Sequence, residues 1–258
     1  MKILSYNIYK GGRTRSYDKT DEIFSVIRST DADIVGLCEC TGFRAGDRAR
    51  MRHYERALGM RAVINRAQSG HHVAVLYREH VNVVDIDTGE AMMYHGFASI
   101  TADLPGLGRT IVVMCHLHPR ASIFRLAEAQ NVLGKAVTEA HGLAMGDFNS
   151  PSDYDAVPDF DAMPIGRRVR LSDTDGSIAF SVPALFKSYG FADLGEADGA
   201  PTYPTAIHGK DQGRGPQLRI DYMFATLGLA AIARLTTVAT PEAMTASDHL
   251  PLLCTLEI

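Results

Sequence analysis

The segment Leu143-Ala144-Met145-Gly146-Asp147-Phe148-Asn149 runs from a short apolar strand into a turn that carries an acid and an amide. A carboxylate on a buried strand is costly unless it is paired or binds a cation. Taken alone, Asp147 also reads as an ordinary turn residue, and Asn149-Ser150-Pro151 as a simple turn. The pattern recurs along the chain, however. Asn7 ends an alternating strand, Glu39 ends Asp33-Ile34-Val35-Gly36-Leu37-Cys38-Glu39, and His116 ends Thr110-Ile111-Val112-Val113-Met114-Cys115-His116. Asp221 lies inside Arg219-Ile220-Asp221-Tyr222-Met223-Phe224, and Asp248 and His249 lie in Ser247-Asp248-His249-Leu250-Pro251. Singly, Asp248 after Ser247 reads as a helix cap and His116 as a satisfied core histidine. Together, so many polar groups at apolar strand ends are cheap only if they share one site.

Working outward, strand-like and helix-like runs alternate. Lys2–Ile8 and Ala32–Glu39 predict strands, with a helix over Asp21–Ser29 between them and another over Arg50–Leu58. Arg61–Asn65, Val73–Arg78, Ala98–Leu104 and Arg109–Leu117 read as successive strands. Ser122–Ala140 is the clearest helix, with Ile123, Leu126, Ala127, Gln130, Leu133, Ala136 and Val137 on one nearly apolar face. The stretch 150–182 is rich in Pro, Asp, Gly and Ser and reads as a long surface excursion, a feature more often functional than idle. A short helix over Val182–Tyr189 and closing strands at Arg219–Ala225, Ala233–Thr240 and Leu252–Ile258 complete the chain. Two strand-rich halves with helices between them predict two packed sheets covered outside by helices, in a single domain over 1–258.

The chain has 258 residues, 46% hydrophobic and 22% charged, with a formal net charge of -4. A protein that grips nucleic acid through its phosphates usually carries a basic surplus, and none is present overall. Cys38, Cys40, Cys115 and Cys254 each sit in or beside an apolar run and read as reduced core cysteines, with no second pair at a zinc-ligand spacing. No apolar stretch is long enough to span a membrane or serve as a secretory signal, so a cytoplasmic location is expected.

Ser5-Tyr6-Asn7-Ile8, the run ending in Glu39, His116-Leu117, Gly146-Asp147-Phe148-Asn149, Arg219-Ile220-Asp221-Tyr222 and Ser247-Asp248-His249-Leu250-Pro251 resemble, in order, the signature of the endonuclease/exonuclease/phosphatase superfamily. The resemblance spans nearly the whole chain. It implies a DNase I-like four-layer α/β/β/α sandwich of two mixed sheets, and a site where strand ends from both halves converge. It implies divalent-metal-dependent hydrolysis of phosphate esters, with Mg²⁺ or Mn²⁺ held by Glu39 and by Asn7 and Asp248, directly or through water. It casts Asp147 as the group that orients or deprotonates the attacking water and Asn149 as a donor to charge developing on phosphorus. His249 is cast as general base or phosphate donor, Asp221 as the group orienting it, and His116 as a phosphate contact. The division of base duty between Asp147 and His249 stays open. Cys38 departs from the Gln that many members carry before the acid. Arg125 is close to an arginine of relatives and is a candidate substrate contact, but Gln130 is not at the usual offset.

The superfamily cleaves many esters, so fold and motif do not give the substrate. The first motif here is Tyr6-Asn7, where exonuclease III relatives usually have Trp-Asn, and the chain has no Trp. Nucleic-acid binders that wedge or stack bases use aromatic inserts, and no aromatic cluster stands out in the expected loops. The segments Ser150-Pro151-Ser152-Asp153-Tyr154 and Thr202-Tyr203-Pro204 resemble a bacterial subgroup directed at small molecules. A phosphodiesterase or phosphatase of a phosphorylated small molecule is therefore expected, with a DNA or RNA nuclease as the alternative. Arg167, Arg168 and Arg170 form a basic group in the excursion that reads either as a solvated loop or as a clamp on a distal phosphate, with Arg168 the chosen candidate. His71 with His72, and His208 with Lys210, are further candidates for the mouth of a cleft.

Overall fold

Two six-stranded sheets form the centre of the fold. The computed structural model describes residues 1–258 except 90–91, 156–158, 198 and 209–215. The strands are β1 (Lys2–Asn7), β2 (Arg13–Thr14), β3 (Tyr17–Asp18), β4 (Ile34–Cys38), β5 (Arg61–Ile64), β6 (Ala74–Tyr77), β7 (Asn82–Gly89), β8 (Phe97–Leu104), β9 (Gly108–His116), β10 (His141–Asp147), β11 (Phe191–Asp193), β12 (Asp221–Thr226), β13 (Ala233–Thr237) and β14 (Leu252–Leu256). The helices are α1 (Thr20–Thr30), α2 (Ala49–Leu58), α3 (Ser122–Ala136), α4 (Ile165–Leu171), α5 (Ser181–Ser188), α6 (Leu227–Ala230) and α7 (Ala243–Ala246). One sheet has the order β13-β14-β1-β4-β6-β5 and the other β11-β12-β10-β9-β8-β7. Each is antiparallel except for one central parallel pair, β1 with β4 and β9 with β10.

The sheets pack face to face through Ile3, Ile34, Val75, Ile100, Val112, Met114, Met145, Met223 and Leu252. Burying one such side chain stabilises the fold by about 1.5–3 kcal/mol. The sheets meet closely at Gly36, where a Cβ would collide with Met114 Sδ and lie 2.6 Å from Met145 Cε. Helices α1 and α2 cover the outer face of the first sheet through Ile23, Phe24, Ile27, Met51 and Tyr54. Helices α3 and α5 cover the second through Ala129, Val132, Leu133, Val182 and Phe186. The result is the α/β/β/α sandwich expected from the sequence. All four cysteines are buried and free. Among the described residues, no helix is long and apolar enough to cross a membrane.

Besides the short elements β2, β3, β11, α6 and α7, which the sequence reading does not contain, three features differ from it. Strand β7 was not foreseen; it lies at a sheet edge and its residues are half-buried or exposed, so it lacks a buried-strand pattern. Helix α4 sits inside the excursion that reads as irregular. Helix α3 has the expected start but a different phase. It buries Ser122, Arg125, Glu128, Ala129, Val132, Leu133 and Ala136, while Ile123 and Val137 face outward. Polar residues turn inward because they have work there: Glu128 accepts the backbone N–H groups of Tyr94 and His118, each at 2.6 Å.

Candidate active site

Strand direction explains why the polar strand ends meet. β1 runs parallel to β4 with Asn7 beside Cys38, so Asn7 and Glu39 leave the first sheet at the same end. In the second sheet His116 pairs in register with Asp147, and Asp147 with Asp221, placing the three side by side on adjacent strands. β14 is antiparallel to β1, so the turn that precedes it, with Asp248 and His249, lies where β1 ends. Ser247 fixes that turn by donating through Oγ to Asn7 O at 2.6 Å. Gly146 is required in the Asp147 turn: its φ is +139° and a Cβ there would collide with Cys115 O.

Asp147 is the hub. Its Oδ2 accepts from Asn7 Nδ2 at 3.1 Å and lies 3.3 Å from His116 Nε2 and 3.7 Å from His249 Nε2. Its Oδ1 accepts the Asn149 N–H at 2.9 Å. Behind it, Asp221 Oδ2 lies 2.8 Å from His249 Nδ1. Asn7, His116, Asp147, Asp221, Asp248 and His249 are all buried. Burial pushes Asp147 up to about 7, against the pull of His249 and with the help of Asp221. Burial opposes charge on His249, but the carboxylates of Asp221, Asp147 and Asp248 outweigh it and raise the imidazole well above its ordinary value. Burial lowers His116 to about 4 despite Glu39, so His116 is neutral near pH 7.

Glu39 stands across the cleft with a left-handed φ of 58°. Its Oε2 accepts the Lys10 N–H at 2.8 Å and lies 3.6 Å from His71 Nδ1. Burial works against its charge, but the bond with His71, the neighbouring His116 and the Lys10 N–H together hold it down to about 2. Glu39, Asp147, Asp248, Asn149, His116 and His249 line one cleft of ≈ 640 Å³.

Among the described residues, Asp147, Asp221 and His249 offer potential metal-ligating atoms within 4.8 Å of one another. In the Glu39, Asn7 and Asp248 set that the resemblance implies, Glu39 and Asp248 line the cleft, while Asn7 lies buried behind it, its Oδ1 accepting the Tyr9 N–H at 3.1 Å and its Nδ2 donating to Asp147. In the first group Asp221 Oδ2 already faces His249 Nδ1 at 2.8 Å, so that contact already occupies one ring nitrogen and one carboxylate oxygen. The second group supplies hard oxygen donors, which suit a small divalent ion that keeps several waters.

Not every sequence candidate reaches the cleft. Arg125 is fully buried beneath the loop after β9, donates from Nη1 to His118 O at 3.4 Å, and is absent from the cleft wall. The inward phase of α3 that orients Glu128 also buries Arg125. Arg168 turns away and pairs with Asp161 at 3.3 Å, while Arg167 and Arg170 line the cleft. His71 lines the cleft, whereas His72 accepts the Ala67 N–H through Nδ1 at 3.1 Å. Lys210 and the side chain of His208 lie outside the described residues. Asn149 donates through Nδ2 to Leu117 O at 3.0 Å, which uses one of its two amide hydrogens.

Sequence reasoning missed Tyr94 and His95, which also line the cleft. The His95 ring stacks on His116 with centroids 4.0 Å apart, and its Nδ1 lies 2.7 Å from Ser69 Oγ. Only its place just before β8, the neighbour of β9, points to this contact, and that pairing is tertiary. Tyr203 enters the wall on a segment threaded between the ends of β12 and β14. Thr202 Oγ1 accepts the Asp221 N–H at 3.2 Å, Thr202 O accepts the Leu250 N–H at 2.8 Å, and the Tyr203 ring lies 4.7 Å from that of His249.

A sequence model of the endonuclease/exonuclease/phosphatase family matches residues 4–249. No curated protein sequence is similar enough to match. Among solved structures, truncated TDP2 from Caenorhabditis elegans superposes with a TM-score of 0.66 at 18% identity, over 99% of this chain and 96% of that one. An endonuclease/exonuclease/phosphatase family protein from Bacteroides thetaiotaomicron gives 0.68 at 15% identity, over 98% and 93%. The human Nocturnin catalytic domain with bound sulfate anion gives 0.65 at 15% identity, over 98% and 92%. At these identities the likeness establishes the fold.

Proposed function

This chain belongs to the endonuclease/exonuclease/phosphatase family and is a hydrolase of phosphate esters, and we propose that it is a Mg²⁺- or Mn²⁺-dependent phosphodiesterase or phosphatase acting on a small molecule. The cleft carries this reading. Its volume of ≈ 640 Å³ falls within the range of small-molecule pockets, and α4 and Tyr203 form part of its wall.

Glu39, Asn7 and Asp248 would hold the ion. Glu39 fits because its carboxylate stays ionised and faces the cleft with its side chain 18% exposed. An ion held by these residues would supply Lewis-acid charge to the phosphoryl and leaving oxygens. Asp147, pushed up to about 7, is matched to orient a water and take its proton near neutral pH. His249, protonated and held by Asp221, presents Nε2 as the proton donor to the leaving oxygen or to the phosphate. This assigns the base role to Asp147 and the donor role to His249. Neutral His116 and the second amide hydrogen of Asn149 would contact phosphoryl oxygens.

The test is a comparison of purified protein with Mg²⁺ and Mn²⁺ on small aryl phosphodiesters, sugar phosphates and plasmid DNA. The expected result is metal-dependent turnover of a small ester in excess of DNA cleavage. Efficient, salt-sensitive nicking at low enzyme concentration would instead establish the nuclease alternative.

A further inference from the structure

Resting on the phosphoesterase reading, we infer that Arg167 and Arg170 form a subsite for a second anionic group, so that the substrate is a phosphate ester carrying another phosphate or carboxylate beyond the scissile one. The acids and bases of the cleft are segregated. Glu39, Asp147 and Asp248 belong to the converging strand ends, whereas Lys10, Arg120, Arg167 and Arg170 belong to the loops and helix that wall it. A chain of net charge -4 has thus gathered four cations around one opening. That distribution focuses a positive field at the mouth and draws in an anion richer in charge than a single diester.

The arginines are carried by a packed element. Met163 and Leu171, on either side of them, form a small apolar cluster with Leu218 and Ile220, the residues that lead into Asp221 and β12. A second anchor holds the same excursion. Asp155 accepts from Arg219 Nε at 3.1 Å and Nη2 at 3.0 Å, while Arg219 Nη1 meets Asp193 Oδ2 at 2.7 Å. The apolar cluster thus holds α4 against the site, while the buried ion network fixes Asp155, earlier in the same excursion. Spacing of three residues along the helix points Arg167 and Arg170 to the same face, and both reach the cleft while Arg168 between them does not.

Position sets what they recognise. The Arg167 guanidinium lies 5.4 Å from the centroid of the Tyr203 ring, and that ring lies 4.7 Å from His249. Tyr203 thus contacts both the arginine and the proposed proton donor, which puts the basic wall of the cleft beside the reacting groups, where a further anion of the substrate would meet it. Guanidinium forks grip phosphate and carboxylate bidentately. Stacking on Tyr203 orients one of the two forks before the ligand arrives.

Two measurements test this. The first is calorimetry in chelator, without turnover, with glycerol 1-phosphate and glycerol 1,3-bisphosphate as probes. The bisphosphate should bind at least tenfold more tightly, and R167Q/R170Q should remove that difference, while R109A, at the exposed start of β9, keeps it. Equal affinities, or a preference that survives in the double variant, would overturn the subsite. The second is kinetics with Mg²⁺ on the p-nitrophenyl diester of glycerol and on the same diester phosphorylated at its far hydroxyl. The phosphorylated ester should have a KM lower by about 10- to 100-fold at similar kcat, and R167Q/R170Q should bring the two KM values together. Equal KM values in the parent overturn the subsite and leave the hydrolase standing. A calorimetric preference with no turnover of either ester supports the subsite and counts against the proposed reaction.

Discussion

Replacing Asp221 by Asn removes one charge and leaves an oxygen able to accept from His249 Nδ1, which is now 2.8 Å from Asp221 Oδ2. Both side chains are about 95% buried, at 5% and 4% exposure, so solvent screens the pair poorly. With charge centres roughly 4 Å apart and an effective dielectric of about 20, the lost attraction is about 4 kcal/mol, and it acts to lower the imidazole's pKa. Asp147 and Asp248 still favour the imidazolium, so the fall is somewhat smaller. The sign is fixed: the His249 pKa drops, and the proton donor is depleted at lower pH than in the parent. In steady-state kinetics on an aryl phosphodiester from pH 5.5 to 9, kcat at pH 8 should fall by roughly 10²- to 10⁴-fold. The loss should be smaller at pH 6, and the alkaline limb should move toward acid. Manganese titration should change by less than about threefold, since Asp221 is assigned no place on the ion. An unmoved limb with unchanged kcat would remove His249 as the proton donor. Loss of metal in D221N, together with its retention in D248N, would require those two roles to be exchanged.

Glu39→Gln should keep the fold and lose most Mg²⁺-dependent activity and metal affinity, by at least about 100-fold in kcat; wild-type titration and turnover would refute the metal assignment. Stability should depend on pH through the buried histidines. His116 is lowered to about 4, and His95 is lowered further, both chiefly by burial. The unfolded chain therefore takes up these protons first as pH falls below about 6.5. The stability gained by keeping His116 neutral is complete above that value and is lost progressively toward pH 4, about 3 kcal/mol for this group. Asp147 and His249, both raised, act in the opposite sense as pH falls, so the contribution is read as a difference: in chelator, the urea midpoint of H95F, which retains a ring against His116, should fall less between pH 6.5 and 4 than that of the parent, and parallel profiles would contradict it.

The architecture was legible because buried strands announce themselves. Ile34–Cys38 and the run from Thr110 to Cys115 are continuous apolar segments, and a polar residue at the end of each is hard to explain without a site. What escaped depends on tertiary context. Strand β7 is an edge strand and carries no buried face to read. Helix α3 showed a helical period, but amphipathic phase assumes that polar residues face water. Here Glu128 is buried to hold the Tyr94 and His118 N–H groups, and Arg125 follows it inward. Arg125 is a substrate candidate only through its likeness to an arginine of relatives, which says nothing of the phase in which α3 packs. In the Arg167, Arg168 and Arg170 group, composition gave the charge, but only the rotation of α4 says which side chains reach the cleft. His95 sits before a strand with no motif around it, and its contact with His116 exists only once β8 pairs with β9.

The backbone carries a further argument about the site. Eight described non-glycine residues have positive φ. Asp31 and Arg48 cap helices and Asp47 adjoins one of these caps, so helix ends account for them. Of the other five, Tyr9, Lys10, Glu39 and Asn149 line the same cleft. Such conformations cost on the order of 1–3 kcal/mol each, and they persist because the surroundings over-determine them. The left-handed turn at Lys10 aims its N–H at Glu39, and the one at Asn149 aims its N–H at Asp147. Both carboxylates are thus set by backbone donors near buried residues, Ile8 and Phe148, of the two helix-covered layers. It follows that the acids hold their positions before an ion or a substrate arrives, and that loosening either turn should disturb geometry at the cleft sooner than it disturbs the fold.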